Sequence, residues 1–291
     1  CLKADLDTLP LTGWYPGHML KAGRQLRERL QLVDLVVELL DARLPLLSRN
    51  PDFDRILGRK PRFLVFTKAA LADSETFDDW EALCAGDGYR ALFVDSLSGL
   101  GMDSLVPAWR DEVQRLRRTS GVGARLRRPL RIMVAGIPNT GKSTLVNRLA
   151  GGGRARVGPL PGVTRTQQWV VLGEGVEMLD TPGVLWPRIR TKRDELKLAL
   201  CGAIRDDLVG EELVVEFLHE WARANPGRLD VSRYGLEVLP DTPDELVEAV
   251  GRFRGYLKPG AEVDARKSAG QILHDFRAGL LGRVTLEALP G

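Results

Sequence analysis

Cysteine and histidine are scarce in this 291-residue chain, long uninterrupted apolar runs are missing, and neither sign of charge dominates. The three cysteines, Cys1, Cys84 and Cys201, stand far apart, with no Cys-x-x-Cys pair and no histidine at ligand spacing. That pattern argues against a disulfide framework or a structural zinc site and suits a reducing cytoplasm. The best apolar stretch, Leu30 to Ala42, is broken by Asp34 and Glu38 and is too short to span a bilayer. The first residues, Cys-Leu-Lys-Ala-Asp-Leu-Asp, lack the apolar core of a signal peptide, so the expectation is a cytoplasmic protein without a membrane span. With 42 Lys+Arg against 39 Asp+Glu, the net charge is only +3, and any nucleic-acid contact has to come from local clusters.

The chain has enough apolar residues, 44%, to bury one substantial core and still leave a second, smaller domain. Apolar runs rich in β-branched residues occur at 35–40, 62–66, 91–94, 130–135, 169–172 and 176–179, with helical patterns between several of them at 77–84, 103–116 and 142–149. This alternation predicts an α/β fold with a doubly wound, mostly parallel sheet. A basic segment with two glycines, between Arg115 and Arg131, divides the pattern and reads either as a solvated joint or as an RNA contact. Beyond Pro187 only helical patterns remain, which places one domain at residues 1–190 and a small helical domain at 191–291.

The strongest motif is Gly136-Ile-Pro-Asn-Thr-Gly-Lys-Ser143, which follows an apolar strand and opens a helix. In that context Gly-x4-Gly-Lys-Ser is a phosphate loop: glycines let backbone N–H groups turn toward phosphate, and the helix N-terminus adds positive potential. Asn139, Thr140, Gly141, Lys142, Ser143 and Thr144 are therefore nucleotide-binding candidates, with Lys142 as the point charge between phosphates and Ser143 as a Mg2+ ligand. Downstream, Asp180-Thr-Pro-Gly183 follows another apolar strand, so Asp180 is expected to face Mg2+ and Gly183 to offer its N–H to the terminal phosphate. Between them, Pro161-Gly-Val-Thr-Arg-Thr166 supplies hydroxyls, with Thr164 preferred over Thr166 as the second metal ligand.

With these residues in place, the sequence resembles the YlqF-related family of circularly permuted P-loop GTPases. The matching stretches are Trp14-Tyr-Pro-Gly-His-Met19, Asp41-Ala-Arg-Leu-Pro45, Ser48-Arg-Asn-Pro51, Gly136–Ser143, Pro161–Trp169 and Asp180-Thr-Pro-Gly-Val-Leu-Trp-Pro187. The resemblance implies a GTP- and GDP-binding factor for assembly of the large ribosomal subunit, meeting a subunit precursor and its ribosomal RNA. It also implies that base-recognition elements precede the phosphate loop.

Upstream, Phe66-Thr-Lys-Ala-Ala-Leu-Ala-Asp73 stands where the family's Asn-Lys-x-Asp motif belongs. Lys68 is retained, Thr67 replaces the asparagine, and Ala70 occupies the position of the carboxylate that would accept hydrogen bonds from guanine. Asp73 is the nearest carboxylate that could substitute, or else it caps the helix that follows. Ser96 and Leu97 occupy the second base-side loop, where a backbone N–H is expected to meet the base.

Hydrolysis raises a further departure, because Val184 and Leu185 stand where many GTPases carry a water-orienting glutamine. By resemblance, His18 would approach the terminal phosphate and orient water, Asn139 would ligate K+, and the ribosomal partner would complete a slow enzyme. The tail residues Arg252, Arg254, Lys258, Arg266, Lys267, Arg277 and Arg283 would contact RNA by the same resemblance, although interleaved acids also fit a solvated surface. The competing reading is a nucleotide- and RNA-binding module with degenerate base specificity and little or promiscuous turnover.

Overall fold

The computed structural model describes residues 6–12, 29–50, 53–58, 60–119, 128–151, 156–158, 169–173, 175–179 and 189–290. These fall into two compact units. An α/β unit takes the described residues between 16 and 70, between 74 and 188, and from 287 onward. A helical unit takes residues 6–12, Leu71–Asp73 and residues 189–286.

The α/β unit runs β1 (Leu35–Asp41), α1 (Phe53–Leu57), β2 (Arg62–Thr67), α2 (Phe77–Gly86), β3 (Arg90–Phe93), α3 (Met102–Thr119), β4 (Leu130–Gly136), α4 (Lys142–Leu149), β5 (Arg156–Gly158), β6 (Trp169–Gly173) and β7 (Val176–Leu179). Its strands form one seven-stranded sheet in the order β3-β2-β1-β4-β7-β6-β5. The five strands from β3 to β7 in that order are parallel, while β6 pairs antiparallel with both β7 and β5. The chain fills one flank of the sheet first and then returns to β4, on the other side of β1. Strands after which the base would be read thus precede the phosphate-loop strand, as a circular permutation requires.

Burial explains the central strands. Every residue of β1 is buried, as expected for a parallel strand covered on both faces. Alternate residues divide between two cores: Leu35, Val37 and Leu39 join Leu105 and Trp109 of α3 and Leu145 of α4, whereas Val36 joins Phe53, Met133 and Trp169. Glu38 interrupts this apolar strand and is itself buried, its carboxylate 3.0 Å from the buried Arg62 guanidinium on β2. That guanidinium also lies over the Tyr89 ring, 4.3 Å from its centroid.

The helical unit contains α5 (Lys192–Leu200), α6 (Asp206–Val209), α7 (Glu211–Ala224), α8 (Pro243–Arg254) and α9 (Ala265–Arg277). Capping boxes start α5, through Thr191 and Asp194, and α8, through Thr242 and Glu245. Asp275 of α9 is buried among Arg233, at 3.1 Å, and the Tyr234 hydroxyl, which donates to it at 2.9 Å. Burial alone would raise this carboxyl's pKa; hydrogen bonds from Tyr234, His274 and Gln271, together with Arg233, hold it below the ordinary carboxylate range.

The periodicity boundary at 190 is close to where the long helical run begins. It does not show that residues 6–12 and Leu71–Asp73 join that unit. Long-range bonds bring them in: the Thr12 amide donates to Glu195 at 3.1 Å, the Val284 amide to the Leu71 carbonyl at 2.9 Å, and the Asp73 amide to the Thr285 hydroxyl at 3.2 Å. The short elements α1, α6 and β5 also escape the sequence reading, because five, four and three residues are too few to establish a period.

Removing one partner of a buried ion pair leaves an uncompensated charge, so Arg62→Met is expected to destabilise the α/β unit by about 3–5 kcal/mol. Adding Glu38→Leu should recover most of that loss. Urea unfolding of the single and double variants measures both effects.

Candidate functional site

The loops that matter leave the carboxyl ends of neighbouring parallel strands. Asp41 ends β1 opposite Thr67, which ends β2, and Leu39 lies opposite Gly136, which ends β4. Since the chain moves outward from β1 to β2 and β3 and then returns to β4, the loops after β1 and β4 part at a topological switch point. In open α/β sheets this is the crevice where ligands bind.

Close approach dictates the start of the phosphate loop. A Cβ on Gly136 would stand 2.6 Å from the Leu39 carbonyl oxygen and 2.9 Å from the Thr140 hydroxyl, so only glycine fits. The buried Thr140 hydroxyl donates back to the Ile137 carbonyl at 3.0 Å and closes the turn. Asn139 is exposed and left-handed at φ 58°, and Gly141 is left-handed at φ 88° as the N-cap of α4. Gly141 brings no side-chain cap to α4, whose first two residues are Lys142 and Ser143. The uncapped helix N-terminus, the half-buried Lys142 and the exposed hydroxyls of Ser143 and Thr144 form a cradle for an anion with an oxygen donor beside it.

Thr67 ties the upstream half of the site to this loop. Its hydroxyl lies 2.5 Å from the Thr140 carbonyl and 2.9 Å from the Leu40 carbonyl, two acceptors for a single proton. Lys68 follows in a left-handed conformation, φ 57°, and its ammonium donates to Asp41 at 2.9 Å. The same carboxylate accepts two bonds from the Arg43 guanidinium, at 2.9 and 2.7 Å, and one from the Arg43 amide at 3.1 Å. Burial alone would raise the Asp41 pKa; the adjacent Arg43 and Lys68 charges overcome that and hold the carboxyl far below its usual range. Asp41 stands in a stretch that matches the YlqF-related family, but its role has no local signal in the sequence, because its contact with Lys68 joins residues 27 apart.

The loop after β3 is organised by Asp95, whose Oδ1 accepts the amides of Leu97 at 3.1 Å and Ser98 at 2.7 Å. The Leu97 amide, a candidate base contact, is therefore committed to Asp95 here. The Ser96 hydroxyl lies 3.8 Å from the Met102 sulfur. Asp73, the candidate substitute carboxylate, accepts from Arg228 at 2.6 Å within the helical unit. His18, Thr164, Thr166, Asp180 and Gly183 lie outside the described residues.

Several basic candidates have internal partners. Arg128 binds Asp34 through both terminal nitrogens at 2.9 Å, and Arg131 meets Glu177 at 3.1 Å. In the tail, Arg252 pairs with Glu248 at 2.7 Å, while Arg277 binds Asp206 and the carbonyls of Ala199 and Leu200. No helix among the described residues is long and apolar enough to cross a membrane.

Comparison with known proteins bears on the same region. Residues 131–224 match the sequence family described as 50S ribosome-binding GTPase. A ribosome biogenesis GTPase A from Bacillus cereus is 41% identical over 276 residues, which cover 94% of this chain and 93% of that protein. The mitochondrial ribosome-associated GTPase 1 of Mus musculus is 36% identical over 307 residues, covering 97% of this chain and 93% of its own. The solved structure of GNP-bound YlqF from T. maritima is similar with a TM-score of 0.65 and 29% identity, covering 92% of this chain and 97% of that one. A GDP-bound TM YlqF structure gives the same TM-score and identity over 91% and 98% of the two chains.

Thr67→Val removes the hydroxyl that meets Thr140 and leaves buried carbonyl oxygens without that donor, at an expected cost of about 1–3 kcal/mol. Nucleotide affinity should fall with it, whereas Thr67→Ser should retain both; denaturant unfolding and titration with a fluorescent GDP analogue measure the two effects. Because the folded Asp41 pKa is depressed, its stabilisation is fully present above the unfolded value near 3.8 and is lost as pH falls below it. Asp41→Asn should lower stability at neutral pH and flatten the acid limb in urea unfolding between about pH 5 and 2.

Proposed function

This chain belongs to the ribosome biogenesis GTPase A family of circularly permuted P-loop GTPases, and on that premise we propose that it is a GTP-switched assembly factor for the large ribosomal subunit. It acts in the cytoplasm, where it binds a subunit precursor and its ribosomal RNA. The observation that carries this reading is the phosphate loop at the switch point, joined through Thr67 to the loops that precede it in the chain. The competing module with little turnover is not favoured, since relatives spanning 94% of the chain carry the GTPase name.

The residues present fit a Mg2+-nucleotide. Ser143 presents an exposed hydroxyl on the first turn of α4, and hydroxyl and carboxylate oxygens are the hard donors that Mg2+ prefers. Ser143, Thr164 and Asp180 would hold the metal, which when bound neutralises charge on the β- and γ-phosphates. Lys142 places its ammonium against the same phosphates, and the amides from Asn139 to Thr144 bind phosphate oxygens at the helix N-terminus. The Gly183 N–H would be offered to the γ-phosphate, which would make the loop that carries it respond to hydrolysis. His18 would orient the attacking water in place of the glutamine that Val184 and Leu185 displace, and Asn139 would hold a K+ ion, which when bound would supply the positive charge that an arginine finger supplies elsewhere.

Lys142→Ala should lower GTP turnover by about two orders of magnitude or more. His18→Ala should leave nucleotide affinity near that of the parent while removing the stimulation by large-subunit particles. Steady-state hydrolysis with and without those particles, in K+ and in Na+, measures these effects. Unchanged turnover in Lys142→Ala would sink the assignment of the phosphate loop, and equal rates in the two salts would remove the Asn139 role.

A further inference from the structure

Guanine differs from hypoxanthine by a single exocyclic 2-amino group, a two-proton donor, and only an acceptor placed against it distinguishes the two bases. A carboxylate is the acceptor-only side chain suited to that edge. In this chain the position three residues beyond Thr67 is Ala70, a half-buried residue in the single 3-10 turn Ala69–Leu71. A methyl group offers the 2-amino group no acceptor.

The described carboxylates on the neighbouring loops are already engaged. Asp41 is buried and holds Arg43 and Lys68. Asp95 is buried and uses Oδ1 to accept two amides of its own loop. Asp73 accepts from Arg228 at 2.6 Å, its amide is bound to the Thr285 hydroxyl, and the Leu71 carbonyl two residues earlier takes the Val284 amide. Freeing the Asp73 carboxylate for a base would break its ion pair with Arg228.

We infer that this GTPase does not read the 2-amino group of guanine, so that ITP is accepted as well as GTP. The inference rests on the proposal that the Thr67–Ala70 loop faces the base. XTP is accepted too, because its 2-oxo group, which a carboxylate would repel, meets only a methyl group. Hydrolysis is unaffected in kind, since the phosphate loop acts on the triphosphate whatever the 2-substituent. A site built to hydrogen-bond a substrate group rejects the analogue that lacks it; a site without the partner has no such means.

Competition of GTP, ITP, XTP and ATP against a fluorescent GDP analogue, on the full chain and on Ala70→Asp, tests this. In the parent protein ITP and XTP should compete within about threefold of GTP. Ala70→Asp restores a charged acceptor, so GTP should gain about tenfold or more over ITP, and XTP should be lost. A parent protein that prefers GTP to ITP by tenfold overturns the inference, and loss of that preference in Asp73→Asn would identify the reader. A folded Ala70→Asp with no gain for GTP overturns it as well, by showing that position 70 does not face the base. Failure of the underlying functional reading looks different: Lys142→Ala would then bind every nucleotide as the parent does.

Discussion

Where β4 passes β1, the Leu39 carbonyl stands so near Gly136 that a methyl group would lie 2.6 Å from it. The rest of the site depends on this approach. A parallel strand pair brought that close lets the chain turn sharply after β4, so that the Thr140 carbonyl arrives beneath the end of β2 and meets the Thr67 hydroxyl. Hydrophobic burial drives the sheet together, but it is non-directional and tolerates small displacements. The glycine contact and the threonine hydrogen bond are directional, and they register the phosphate loop against loops that precede it by about seventy residues.

A second constraint is electrostatic. Asp41 is a charge in a dry place, and it stays ionised because Arg43 and Lys68 both point at it. Removing Arg43 would leave the buried carboxylate with Lys68 alone, and taking away one member of a buried charge cluster is the costly case. The left-handed backbone at Lys68 is consistent with that demand, since a β-strand continuing past Thr67 would carry the ammonium elsewhere. The chain then enters the helical unit at Leu71, so the loop between strand and helical unit is only three residues long.

Several features were legible before any coordinates. The phosphate loop was legible because its glycines, lysine and serine lie within eight consecutive residues, flanked by a strand and a helix. The six longer strands were legible as apolar runs, most plainly the central parallel strands β1 and β2, whose residues are all buried. Thr67, Lys68 and Ala70 were identified through their place after such a run. The partners of these residues were not legible. Lys68 with Asp41, Thr67 with Thr140 and Asp73 with Arg228 are pairs separated by 27, 73 and 155 residues, and no period or local motif connects them.

The sequence by itself determined which residues could bind phosphate and that the elements alternate as an α/β sheet must. These follow from residue type and short-range order, which need no folded partner to be read. Only the tertiary structure decided the strand order that brings the permuted halves together, the membership of Leu71–Asp73 in the helical unit, and the engagement of Asp41, Asp73 and Asp95. Those are outcomes of long-range packing, in which a side chain's role is set by what the folded chain places beside it.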